Sequence, residues 1–176
     1  MKLIDMTVTN FASEVDSNSP APGGGSVSAL ASDIGVGLAR MMAHLSFGKK
    51  KFEALDDKTK EEFKVRFDKL GEIRTELSTL VDKDTESFNE FMKALKLPKE
   101  TDEEKVARAK AMEEATIFSI EVPYKTAKLS LEALKLLDFL VANGNQKDSA
   151  ESAEQCHEIH TERQHHHCPY YSETVL

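Results

Sequence analysis

Apolar residues return every three or four positions through most of this chain, and nowhere do they alternate with period two over a sustained run. Phe11 and Val15 mark one or two amphipathic helical turns, stopped by Ser17-Asn18-Ser19-Pro20. A loop follows through Ala21-Pro22-Gly23-Gly24-Gly25, and Ser26 is placed to cap a second helix. That helix carries Val27, Leu30, Ile34, Leu38, Met41 or Met42, and Leu45 at helical spacing. Its other positions are small (Ala29, Ala31, Ser32, Gly35, Gly37, Ala39, Ala43), which predicts a central helix buried on more than one side.

From residue 58 to 96 the pattern is helical without a proline, on Phe63, Phe67, Leu70, Ile73, Leu77, Leu80 or Val81, Phe88, Phe91 and Leu95. At 1.5 Å per residue this helix is about 55 Å long, a length suited to a bundle or a dimer. Leu97-Pro98 ends it, and Thr101 with Glu104 forms a capping box for the next. The next stripe runs Val106, Ala109, Met112, Ala115, Phe118 and resumes past Pro123 as Ala127, Leu131, Leu134, Leu137 and Val141. A proline inside a continuing pattern predicts a kink, and Asn143-Gly144 reads as a C-terminal cap. The expected class is all-α, an up-down bundle of long helices.

Composition narrows the picture. The 176 residues fit one domain, and the net charge of −8 opposes binding along a phosphate backbone, so no nucleic-acid partner is expected. The most apolar stretch, Ala29 to Leu45, is broken by Asp33 and Arg40 and is too short to span a bilayer. No secretory pattern opens the chain and both cysteines, Cys156 and Cys168, fall late, which together predict a cytoplasmic protein without membrane contact. From Gln146 the character changes: five of the six His, both Cys and two of the three Tyr lie there, and the helical stripe vanishes. The chain therefore divides into a helical domain, 1–145, and an atypical tail, 146–176. The Cys and His spacing in that tail matches no closed metal framework, so no metal site is assigned.

Three features could carry chemistry. The glycine run between Pro22 and Ser26 strips Cβ atoms from a stretch that leads into a helix start, so a ligand could touch backbone N–H groups; the alternative is an ordinary linker. On the long helix the position that should be apolar, seven after Leu77 and four before Phe88, is Asp84. A carboxylate facing a core is costly unless partnered, and desolvation is how a general acid is prepared for work near neutrality. A structural aspartate, satisfied by Lys or Ser, fits the spacing equally well. Asp82 points about 160° to 200° away round the helix, so the two are not one paired-carboxylate site. Gly48-Lys49-Lys50-Lys51-Phe52 is a basic cluster that either complements a helix C-terminus or meets a carboxylate-bearing ligand.

Taken in order, Ser-x-Pro-x-Pro-Gly-Gly-Gly-Ser, Gly48-Lys49-Lys50-Lys51-Phe52, Leu80-Val81-Asp82-Lys83-Asp84-Thr85-Glu86-Ser87-Phe88, Leu97-Pro98-Lys99 and Val122-Pro123 resemble the formiminotransferase-cyclodeaminase C-terminal domain family, from about Leu3 to Asn145. The resemblance implies a dimer of all-helical subunits acting on folate, as a cyclodeaminase (a lyase) or as a methenyltetrahydrofolate cyclohydrolase. It implies Asp84 as the catalytic acid, and Pro22, Gly23, Gly24, Gly25, Ser26, Lys50 and Asp82 as substrate-binding residues. The tetrahydrofolate derivative is then the substrate, and no cofactor is called for. After Gly-Asn the family continues into further helices that are missing here, so an altered reading frame or a truncated copy is expected for the tail. The contrasting reading is a non-catalytic helical interaction module, in which Asp84 is a satisfied core carboxylate.

Overall fold

The computed structural model describes residues 2–144, and the tail from Gln146 lies outside the described residues. A 3-10 turn, Leu3–Asp5, precedes five helices: α1 Val8–Val15, α2 Gly24–Ser46, α3 Lys50–Glu53, α4 Asp57–Leu95 and α5 Asp102–Asn143. Among the described residues there is no strand. The all-α expectation holds, and α4 begins and ends within one residue of the stretch read from the pattern. Asp56 caps α4 by accepting from the Thr59 N–H at 3.0 Å, and the Thr59 hydroxyl and N–H hold its carboxyl below the usual carboxylate range. Thr101 and Glu104 form the expected capping box of α5. α5 passes through Pro123 without stopping.

The central element is α4, which packs on both α2 and α5. Its buried positions Phe63, Phe67, Leu70, Ile73, Leu77, Leu80 and Val81 are those of the predicted stripe. At one end Phe47, Phe52, Phe63 and Phe67 meet edge-to-face with ring centroids 5.0 to 5.5 Å apart, so α3 serves as a plug that brings Phe52 into the core. Gly48, with φ 71, supplies the left-handed turn that carries the chain from α2 into that plug.

α2 corrects the sequence reading of which residues turn inward. Its buried residues are Ser26, Ala29, Asp33, Val36, Ala43 and Ser46, the small and polar positions, which lie against α4. The larger apolar ones face outward: Val27, Ile34, Leu38, Met41 and Leu45 are all exposed, Leu38 to 58%. The helix is thus covered by α4 and, around Ser32, Val36 and Ala39, by α5, and is bare on its remaining face. Close approach selects the small face, because large side chains would hold the two backbones apart, and polar ties then run along the seam. The Ser26 hydroxyl donates to the Val81 carbonyl at 2.8 Å, Asp33 pairs with Arg74 at 3.1 Å, and Arg40 donates to the Phe67 carbonyl while lying over that residue's ring. Gly71 makes room for the last of these: a Cβ there would stand 2.5 Å from Arg40 Nη1. On α5, Leu131 and Leu134 of the predicted stripe are likewise exposed, and Leu129, Ala133 and Leu140 are buried instead.

Phe63 is fully buried at the junction of α2, α3 and α4, so Phe63→Ala should cost about 3–5 kcal/mol in urea denaturation. Val65→Ala, two residues away but 57% exposed, should stay within about 0.5 kcal/mol.

Candidate functional site

The start of α2 is built against α4 by a carboxylate. Gly23, and not Ser26, is the residue that caps α2, and it has no side chain to do so. The missing acceptor comes from another helix: Asp84 Oδ2 accepts from the Ser26 N–H at 2.9 Å, and the Ser26 hydroxyl lies 3.3 Å from the same oxygen. The partial positive charge of a helix N-terminus suits a carboxylate at that place. Asp84 is half-buried and partnered, as the stripe argument requires of any carboxylate on this face.

Gly25 is the other half of the arrangement. A Cβ built on it would stand 2.0 Å from Asp84 Oδ1 and 2.4 Å from the carboxyl carbon. The carboxylate therefore occupies the volume a side chain would take. Gly24 differs, since a Cβ there would meet nothing within 4 Å. Pro22 is buried behind the loop, and the N–H groups of Gly24 and Gly25 make no hydrogen bond among the described residues.

Asp84 opens on a cavity of about 310 Å³ lined by Pro20, Ala21, Gly23, Asp84, Thr85, Ser87, Phe88, Phe91 and Ser119. Phe88 and Phe91, read from the sequence as core stripe, are half-buried and form its apolar wall, while Ser87 takes the buried position between them and Asp84. Thr85 and Ser119 were not singled out by sequence reasoning. Thr85 follows Asp84 on α4, but nothing local in the chain signals that Ser119 of α5 closes the far side.

Of the assigned residues Gly23 and Asp84 line this cavity, Pro22, Gly24, Gly25 and Ser26 belong to the adjoining loop and helix start, and Asp82 and Lys50 lie apart. Asp82 is turned toward the N-terminal segment, where its Oδ1 accepts from the Leu3 N–H at 2.6 Å. It ties the first residues to α4, a role that leaves it outside the cavity lining. Lys50 stands at the start of α3, beyond the other end of α2 from the glycine loop. The 23 residues of α2 separate them by about 33 Å, so one chain alone does not bring Lys50 to Asp84. Among the described residues no cluster of three or more His, Cys, Asp or Glu could hold a metal, and no helix is long and apolar enough to cross a membrane. The His and Cys of the tail lie outside the described residues.

The model of the family described as formiminotransferase-cyclodeaminase matches residues 7–154. A methenyltetrahydrofolate cyclohydrolase from Methylorubrum extorquens is 32% identical over 139 residues, covering 79% of this chain and 65% of that protein. The formimidoyltransferase-cyclodeaminase of Mus musculus is 34% identical over 143 residues, 81% of this chain but only 26% of its own length. The chain thus spans less than two thirds of these relatives. The crystal structure of formiminotetrahydrofolate cyclodeaminase from Thermotoga maritima superposes with a TM-score of 0.69 at 24% identity, covering 90% of this chain and 74% of that one, and so shares the fold.

The two neighbouring glycines separate close approach from simple flexibility. Gly25→Ala should lower unfolding free energy by about 1–3 kcal/mol in urea denaturation, as the new methyl group expels the Asp84 carboxylate. Gly24→Ala should be neutral or stabilising by up to about 1 kcal/mol, since it only restricts the unfolded chain. Equal effects would show that the contact with Asp84 does not constrain the loop.

Proposed function

Since the chain belongs to the formiminotransferase-cyclodeaminase family, we propose that it is a cytoplasmic enzyme of folate one-carbon chemistry, working at the Asp84 cavity. The observation that carries this reading is a carboxylate fixed at the wall of a cavity whose other wall is aromatic. Phe88 and Phe91 suit the flat rings of a folate, and the free N–H groups of Gly24 and Gly25 suit a carbonyl or an anion. Both relatives named above carry folate or formimidoyl chemistry in their names, which supports the substrate class.

Cyclodeamination needs one proton moved twice. The N10 amine of a 5-formiminotetrahydrofolate attacks the carbon of its protonated formimino group (N5–CH=NH2+), forming a C–N bond and a tetrahedral centre that carries a neutral amino group. Asp84 takes the N10 proton at its carboxylate, then returns it to the amino group as the C–N bond to that group breaks and ammonia leaves. The product is 5,10-methenyltetrahydrofolate, and the carboxylate is restored. Hydrolysis of the methenyl compound would use the same group, as a base that draws a proton from the attacking water. Each route consists of addition, elimination and proton transfer, without electron transfer.

Asp84 can act here because Ser26 holds one oxygen and leaves the other free of hydrogen bonds among the described residues. The exposed apolar stripe of α2 also supports a homodimer, in keeping with the length of the helices.

Asp84→Asn retains the shape and can still accept from the Ser26 N–H, but it cannot carry the proton. Turnover of 5-formiminotetrahydrofolate and of 5,10-methenyltetrahydrofolate should be followed spectroscopically, beside a folate-binding titration. The expected result is a fall of about 10² or more in kcat on whichever substrate the parent uses, with binding little changed. An Asn variant that turns over like its parent would return Asp84 to a structural role.

A further inference from the structure

Two walls of the Asp84 cavity are helical, and a helix offers a short hydroxyl side chain a ready partner in the carbonyl one turn back. Ser87 of α4 donates to the Asp84 carbonyl at 2.7 Å, and Ser119 of α5 donates to the Thr116 carbonyl at 2.8 Å. Thr85 reaches the same end by another route. The Ser26 hydroxyl gives its proton to the Val81 carbonyl at 2.8 Å, so in the 3.3 Å contact between Ser26 and Thr85 it is Thr85 that donates. Each hydroxyl bordering the cavity therefore has its single proton engaged inside the protein, and lone pairs are all it can still offer a ligand.

Other donors are confined to one edge. No Lys, Arg, His, Asn, Gln, Tyr or Trp stands among the described residues that line the cavity, and the loop alone brings unengaged N–H groups, those of Gly24 and Gly25. The α5 wall carries a further acceptor. Pro123 lies inside α5 and has no N–H, so the Ser119 carbonyl, four residues earlier, lacks the donor that a regular helix would supply. Ser119 thus brings two open acceptors to the cavity wall, its hydroxyl lone pairs and its carbonyl, and Asp84 in its ionised form accepts as well. The loop edge donates and the helical walls accept.

We propose that Ser119 is a specificity-determining residue of this site: with its hydroxyl and with the carbonyl that Pro123 opens, it accepts N–H groups from the ligand, and so selects an amino-substituted ring over the oxo ring of the same shape. A ligand oxygen facing this wall gains a hydrogen bond only by breaking the one that Ser119 makes to Thr116, whereas a ligand N–H adds one without loss. A site arranged to pair with one polar group turns away the analogue that lacks it, because its own polar atoms are then left unpaired. The pterin of a folate carries such an amino group, so the choice of that ring rests on the folate reading above, while the polarity of the wall does not.

Pterin and lumazine are the probes: they share one fused ring system and carry an amino group or an oxo group at a single carbon. Each is held at trace concentration while the full chain is raised, and binding is followed by the anisotropy of the ring's own fluorescence. The parent is expected to prefer pterin by about tenfold or more, through two such contacts. Ser119→Ala removes the hydroxyl, and Pro123→Ala returns an N–H to the Ser119 carbonyl. Each should narrow the preference about three- to tenfold, the size of one hydrogen bond. Ser119→Thr keeps a hydroxyl and should keep the preference. Alanine at either place favours the helix, so the far-UV circular dichroism should not change.

A parent that binds lumazine as tightly as pterin, or binds neither, overturns the proposal, as does a preference that survives intact in Ser119→Ala. A preference that survives intact in Pro123→Ala overturns the part given to the carbonyl. Turnover decides the folate reading separately. A chain that shows the pterin preference and its loss in the variants, yet converts neither 5-formiminotetrahydrofolate nor 5,10-methenyltetrahydrofolate, defeats that reading and leaves Ser119 its role. A chain that converts either folate without any preference between the two rings does the reverse.

Discussion

The Asp84 carboxylate at the start of α2 is the contact on which the arrangement of this molecule turns. A helix that begins on three glycines has no side chain of its own to accept its first N–H groups. α4 provides the acceptor, and in doing so fixes where α2 begins, how closely it lies on α4, and which way the loop through Pro22 must run. The same oxygen atoms border the cavity. Structural and chemical demands fall on one group, so a substitution there has to be judged by turnover and by stability together.

Close packing of α2 on α4 has a second effect, on the opposite face. Because the small residues go inward, the large apolar ones are left for something else to cover, and α2 becomes a helix with two working surfaces. One is tied by Ser26, Asp33 and Arg40 to α4. The other carries the exposed apolar stripe. A chain of this size with a single wide core would have little reason to expose Ile34, Leu38 and Met41 in register.

Much of this was legible in the sequence, and the failures share a cause. α4 and the start of α5 were read closely because their signals are local: a long stripe, a capping box, a proline after Leu97. Asp84 stood out as a break in a regular pattern. The buried face of α2 was misread because the rule that apolar residues go inside ranks faces by hydrophobicity, whereas this interface selects for size. Ser26 looks like a cap in a sequence that shows only near neighbours, whereas the true acceptor lies 58 positions away. Asp82 and Lys50 were grouped with Asp84 by motif, yet Asp82 is turned away by helical geometry and Lys50 is held off by the length of α2. Ser119 gave no sign at all, since only the packing of α5 against α4 brings it to the cavity.

Gly25 and Asp84 also limit the routes by which this chain can change. The side chain of Asp84 fills the space that any side chain at residue 25 would need, so it restricts the choices open at a position 59 places away. An alanine that would be harmless at Gly25 beside a shorter residue is a collision beside Asp84, and the cost of the two substitutions together should be far from the sum of their separate costs. Drift through single steps is therefore blocked at Gly25 for as long as Asp84 stays, and a descendant that abandons the aspartate frees the glycine at the same time. The pair behaves as one heritable unit written in two distant parts of the chain.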